Sequence, residues 1–199
     1  GPTSKWTSEM CLGNELTYRF CEDVLDEIID LFPSKYVHIG GDECNIAAWS
    51  GCSRCKELMA REGIDSPQHL QSYFTKRIET FVNSRGKTII GWDEMLDENL
   101  AKDDVIMSWH EDPEGRDKII KEGHPMIISS EGHFYLDCYQ DYPAVEPVCF
   151  GGFTPLRKTY QFEPFDGLTG DTALVKGIQC NLWTEAVQTP EHAEHMIYP

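Results

Sequence analysis

The feature that most constrains this chain is a repeated alternation of short apolar segments with longer amphipathic ones. Residues 35–41, 87–92, 104–109, 125–129 and 177–183 each read as a strand bounded by polar or glycine-containing turns. A first helix pattern starts at Asn14, a good N-cap, and runs to Phe32, where Pro33 stops it. Leu16, Phe20, Val24, Leu25, Ile28 and Leu31 give it an apolar stripe. A second starts at Ser66-Pro67, carries Leu70, Tyr73, Phe74, Ile78, Phe81 and Val82 on one face, and ends at Gly86. A third, over 113–122, joins the third and fourth strands. Such alternation predicts an α/β fold, a parallel sheet covered by helices. Five strands are visible, whereas a closed barrel of this kind needs eight, so the sheet is open or the first part of a barrel is missing. No low-complexity linker interrupts the pattern, and residues 1–199 read as one domain without a second. The segment 137–172 is long and holds four prolines, as expected of a loop that borders a binding site or packs as its own lobe.

The formal net charge is −17, from 34 acidic residues against 17 Lys and Arg. That balance disfavours nucleic acid and anionic membranes as partners, since both require basic patches. It suits a neutral or cationic ligand such as a sugar, although solubility alone also accounts for it. No apolar run reaches the length of a membrane span, and the opening GPTSKWTSEM lacks the apolar core of a signal peptide. Beginning with Gly-Pro and no Met, the chain fits a processed form or an excised segment. Among eight cysteines, Cys44, Cys52 and Cys55 cluster as C-x7-C-x2-C. Free thiols, a disulfide, or zinc held with one more ligand such as Cys11 all fit that spacing.

Chemistry-bearing residues gather where the strands end. In a (β/α)8 barrel that is where an active site lies. Side chains two apart share a strand face, so His38, Gly40 and Asp42 are expected inward, with Val37 and Ile39 toward the helices. The same parity aligns Trp92 with Glu94, Tyr135 with Asp137, and Gln179 with Asn181, Trp183 and Glu185, while Trp109 follows Val105 and Met107. Flat indoles pack on the apolar faces of a pyranose and carboxylates accept hydrogen bonds from its hydroxyls. Two adjacent acids such as Asp42 and Glu43 repel, which favours keeping one of them as a proton donor. The preceding Gly-Gly permits unusual backbone and close ligand approach.

His38-Ile-Gly-Gly-Asp-Glu43 resembles the H-x-G-G-D-E signature of family 20 β-N-acetylhexosaminidases. Gly91-Trp-Asp-Glu94, Trp109, Tyr135-Leu-Asp137 and Asn181-Leu-Trp-Thr-Glu185 resemble later motifs of that family, in order, so the likeness runs from about Trp6 to Pro199. It implies a (β/α)8 TIM-barrel fold, with the visible strands as roughly the fourth to the eighth. It further implies exo-acting hydrolysis of terminal β-linked N-acetylhexosamine, GlcNAc or GalNAc, from a glycan. Glu43 would be the general acid, and Asp42 would orient the substrate's own 2-acetamido group for attack on the anomeric carbon, so no enzyme nucleophile is needed. Tyr135 would hydrogen-bond the acetamido oxygen. Trp92, Trp109 and Trp183 would wall the pocket, and Asp137 and Glu185 would hold ring hydroxyls. The resemblance implies no metal and no cofactor, and a secreted, periplasmic or lysosomal-type compartment. The family's sugar-gripping arginine and histidine from early strands have no counterpart here, which keeps a non-catalytic sugar binder and an inactive barrel fragment as alternatives.

Other features admit plainer roles. His38 is expected to be a packed, hydrogen-bonded interior histidine, and Glu94 either supports the site or pairs with a basic side chain. Trp6 is expected to pack in a loop. His192 and His195 have metal-like spacing on a helix but are expected to be a solvated face. The open sheet should leave the strands at Val37 and Ile178 as edges through which copies of the chain associate.

Overall fold

A computed structural model describes residues 9–97 and 99–198; Trp6 and Pro199 lie outside the described residues. The chain divides into two compact units, Gly1–Asp104 and Val105–Pro199.

The first unit runs α1 (Glu15–Leu31), β1 (Tyr36–His38), α2 (Ala47–Gly51), α3 (Ser53–Glu62), α4 (Pro67–Ser84) and β2 (Thr88–Trp92). The helix starts follow the capping residues read from sequence. Asn14 accepts a hydrogen bond from the Leu16 N–H, and Ser66 from the His69 N–H, ahead of Pro67 in the first turn. β1 and β2 pair in parallel with Val37 opposite Ile89 and His38 opposite Ile90.

The apolar stripe expected on α1 needs correction. Leu16, Phe20 and Leu31 are 64%, 60% and 72% exposed, and Val24 and Ile28 are exposed too. The helix is apolar on a second side, and that side is the covered one: Tyr18 is buried, while Cys21, Leu25 and Ile29 are half-buried. Tyr18 packs its ring 5.6 Å from Phe74 of α4 and donates its hydroxyl to the Leu12 carbonyl at 3.0 Å. Arg77 lies over the Tyr18 ring and forks onto Glu15 at 2.9 and 3.1 Å, and Arg85 forks onto Asp26. Exposed ion pairs of this kind contribute about 0–1 kcal/mol, while burying Leu70, Ile78 and Val82 of α4 contributes roughly 1.5–3 kcal/mol each. Apolar burial therefore dominates the stability of α4, whose inner face is the one the sequence predicts.

The second unit runs β3 (Val105–Ser108), α5 (Pro113–Lys121), β4 (Met126–Ile128), α6 (Glu131–Phe134), α7 (Leu156–Tyr160), β5 (Val175–Ile178) and α8 (Pro190–Ile197). β4 pairs in parallel with both β3 and β5. Every residue of β3 is buried, as expected of a parallel strand covered on two faces. The long segment after Asp137 is tied down at its far end by α5. The Asp117 carboxylate accepts from the Thr169 N–H at 2.6 Å, the Thr169 hydroxyl at 2.9 Å and the Gly170 N–H at 3.0 Å, and pairs with Lys121 at 2.6 Å. These donors hold its pKa well below the usual carboxylate range, Lys121 first. On α8, His195 pairs with Glu146 at 3.0 Å.

Two outcomes test these assignments. Asp117→Ala should strand the backbone N–H groups of Thr169 and Gly170 and lower the thermal midpoint, with faster hydrogen exchange confined to that segment. The second concerns Asp104, which is fully buried and has its pKa pushed up to about 7, by desolvation first and then by the charge of Glu79. Between its unfolded value of 3.8 and about 7 the folded chain keeps a proton that the unfolded chain has released. Its contribution to stability is therefore fully present below about pH 4 and is lost as pH rises through about 7. Denaturant titrations across that window should show a decline, and Asp104→Asn should flatten it.

Candidate active site

On the first unit the site is built around the end of β1. The strand leaves through Gly40 and Gly41 at φ +76° and +104°, conformations that side chains resist. The turn is held from two sides. The Trp92 N–H donates to the Gly40 carbonyl at 3.0 Å, and Gln71 of α4 donates its side-chain amide to the Gly41 carbonyl at 2.8 Å. At Gly91 of β2 a Cβ would displace the end of the Met95 side chain and press on the Gly40 carbonyl oxygen at 3.0 Å. The turn delivers Asp42 and Glu43 side by side, both exposed. Glu43 has φ +46°, the sole non-glycine positive φ among the described residues, and its N–H approaches Glu94 Oε1 at 3.5 Å. Left-handed backbone at a non-glycine residue costs on the order of 1–2 kcal/mol and clusters at functional sites.

His38 accepts a hydrogen bond from the Gly40 N–H on Nδ1 at 3.1 Å, which places any neutral-state proton on Nε2. Its ring meets Trp92 edge-on at 4.9 Å. Desolvation lowers its pKa, opposed by the Asp42 charge. The expectation of an interior histidine is only half met: it is hydrogen-bonded and packed, yet exposed, because β1 pairs on one side alone within this unit. Trp92 itself is 7% exposed, so it offers little surface of its own.

The second unit presents the rest of the expected residues beyond the C-terminal ends of its strands. Trp109 follows β3 and is half-buried, its carbonyl accepting from the Glu131 N–H. Tyr135 follows the short α6 and bridges to Asn181, three residues beyond β5. The continuous strand expected over 177–183 ends at Ile178, and the alignment is carried onward by backbone bonds from the Gln179 N–H to Ile128 and the Asn181 N–H to Phe134, both at 2.9 Å, reinforced by side chains. Asn181 donates to Ser129 Oγ at 2.7 Å, Ser129 donates to the Gln179 carbonyl at 3.1 Å, and Gln179 donates to Asn181 Oδ1 at 3.0 Å. On this scaffold the Tyr135 and Trp183 rings meet at 5.9 Å in a T-shape, with Trp183 40% exposed. Burial pushes the Tyr135 phenol up to about 12, so it stays a protonated donor at neutral pH. Asp137 is buried, and its pKa is raised by desolvation and, to a lesser extent, by the charge of exposed Glu185.

Asp42, Glu43 and Trp92 are thus brought together on one unit, and Tyr135, Asp137, Trp183 and Glu185 on the other. Gln71 and Met95 shape the Gly-Gly turn, and Ser129 anchors the Asn181 segment; sequence periodicity gives no signal for such contacts. Of groups able to hold a metal, Cys11, Cys52 and Cys55 converge in the first unit.

The arrangement has close relatives. The chain is 41% identical over 192 residues to a β-hexosaminidase of Porphyromonas gingivalis, covering 95% of this chain and 25% of that protein. It is 37% identical to a β-hexosaminidase of Vibrio furnissii, over 92% of this chain and 31% of the relative. The fold superposes with a TM-score of 0.87, at 33% identity, on an exo-β-N-acetylglucosaminidase of Vibrio harveyi solved in complex with N-acetylglucosamine, covering 96% of this chain and 30% of that one. The chain therefore spans about a quarter to a third of the length of these relatives. The fold is α/β of the (β/α)8 TIM-barrel type, represented among the described residues by five strands. Residues 3–199 match the catalytic-domain profile of glycosyl hydrolase family 20, and this chain belongs to that family.

Proposed function

We propose that residues 1–199 form the C-terminal portion of a catalytic domain that removes terminal β-linked N-acetylhexosamine from glycans by a substrate-assisted, retaining mechanism. The observation that carries this is the Asp42-Glu43 pair, presented at a strand end by two left-handed glycines with Glu43 itself in left-handed backbone. A surface pair of acids has no need of such a turn.

On the first unit, Glu43 protonates the departing glycosidic oxygen while the substrate's acetamido carbonyl oxygen attacks the anomeric carbon. Asp42 orients and polarises that acetamido group. A cyclic oxazolinium intermediate results, and water opens it as Glu43 takes back a proton. Trp92 supports His38 and the acid-bearing turn, and turns what surface it exposes toward the sugar. On the second unit, Tyr135 donates to the acetamido oxygen, a role its raised pKa supports. Trp183 and Trp109 offer indole faces to the sugar, and Asp137 and Glu185 accept from its hydroxyls. The Vibrio harveyi protein's complex with N-acetylglucosamine supports the choice of sugar.

Copies of the chain are further proposed to associate through strand edges. β1 pairs on one side within its unit and exposes Tyr36, and β5 likewise exposes Ile178. Unpaired backbone of this kind is a template for another strand. Light scattering should then show a mass that rises with concentration.

Glu43→Gln should cut turnover of substrates with poor leaving groups by about 10²–10⁴-fold, and that of activated aryl glycosides far less. Equal losses across leaving groups would remove Glu43 from the acid role. In Asp42→Asn the loss should instead be similar across leaving groups, because intramolecular attack is needed for each; kcat measured over a leaving-group series separates the two.

A further inference from the structure

Away from the sugar-binding residues, three cysteines meet in the first unit. Cys11 Sγ lies 3.4 Å from Cys52 Sγ and 3.8 Å from Cys55 Sγ, and all three sulfurs lie within 4.8 Å of one another. A disulfide joins two sulfurs and has no use for a third. Tetrahedral zinc is different: with Zn–S bonds of about 2.3 Å, neighbouring ligand sulfurs stand about 3.8 Å apart, close to the 3.4 and 3.8 Å that separate Cys11 from its two neighbours. We propose that Cys11, Cys52 and Cys55 bind a structural Zn²⁺ ion.

The backbone brings the sulfurs together: Cys52 is the N-cap of α3 and Cys55 lies in its first turn. Gly13 lies so close that a Cβ would meet the Cys55 nitrogen at 2.7 Å and overlap the Arg54 carbonyl, so the Cys11-Leu12-Gly13 turn is pressed onto the Cys52-x2-Cys55 knuckle. Cys44, one residue beyond Glu43, packs against the same apolar cluster of Leu12, Trp49, Cys55, Leu58 and Leu70, and is a fourth side chain of the right type. Zinc is the metal such a set selects: thiolates favour borderline-soft ions, and three sulfurs leave one tetrahedral position for a further ligand. The ion would fasten the turn before α1 to the start of α3, next to the acid-bearing segment, without touching substrate.

The test is elemental analysis of the protein purified under reducing conditions from zinc-supplemented cells. About one zinc per chain is expected, falling to near zero in Cys52→Ser and Cys55→Ser. Because those variants can misfold, the wild-type protein carries the second arm. Stripped of metal and titrated with Co²⁺, it should develop thiolate-to-cobalt charge transfer and intense d–d bands that saturate at about one equivalent. Bound metal should also protect Cys11, Cys52 and Cys55 from alkylation, and its removal should lower the thermal midpoint. Metal-free wild-type protein that takes up no Co²⁺ would overturn the proposal. So would a Cys11–Cys52 or Cys11–Cys55 disulfide in non-reduced peptide maps, or full zinc content in both serine variants.

Discussion

The Gly40-Gly41 turn is the constraint on which the first unit's chemistry depends. A strand's backbone points its acids alternately to opposite faces, so Asp42 and Glu43 could not serve one site if β1 simply continued. Two left-handed glycines end the strand, and three contacts fix where the chain goes next: the Trp92 N–H, the Gln71 amide and the space left by Gly91. They are made by β2 and α4, whose own positions come from the apolar burial of Leu70, Ile78, Val82 and Ile89. The path from core packing to the geometry of the acid pair is therefore short, one helix and one strand long.

The second unit carries its strand alignment past Ile178 by two kinds of bond. Backbone pairing continues through the Gln179 N–H to Ile128, the Asn181 N–H to Phe134 and the Leu136 N–H to Asn181, and a side-chain relay of Asn181, Ser129 and Gln179 reinforces it. Side-chain amides and hydroxyls supply both donors and acceptors, so they tie adjacent strand ends beneath the Tyr135–Trp183 ring contact. The cost is that the relay is only as good as each member.

Much of this was legible in the sequence where local chemistry decides the outcome. Asn14, and Ser66 with Pro67, cap their helices because a cap is satisfied by its own neighbours. The helix face of α4 was legible because only one of its sides is apolar. α1 defeated the same reasoning: it has two apolar sides, and periodicity does not say which one finds a partner. α2 and α3 escaped notice since one is a single short turn and the other, Ser53–Glu62, is half charged with few apolar residues to mark a face. Residues at strand ends were identifiable by type and order, whereas Gln71, Met95 and Ser129 are known as supports only from the folded chain. The cysteine spacing left three states open because Cys11 is 41 residues from Cys52, and only folding brings their sulfurs to 3.4 Å.

The backbone of Glu43 carries a consequence for how such a protein tolerates change. A residue held at φ +46° is happiest as glycine or asparagine, and glutamate is among the less comfortable occupants. Random substitution screened for heat resistance would thus favour replacing Glu43, and would select against the one side chain the proposed chemistry requires. Laboratory stabilisation of this chain has to be steered away from the turn.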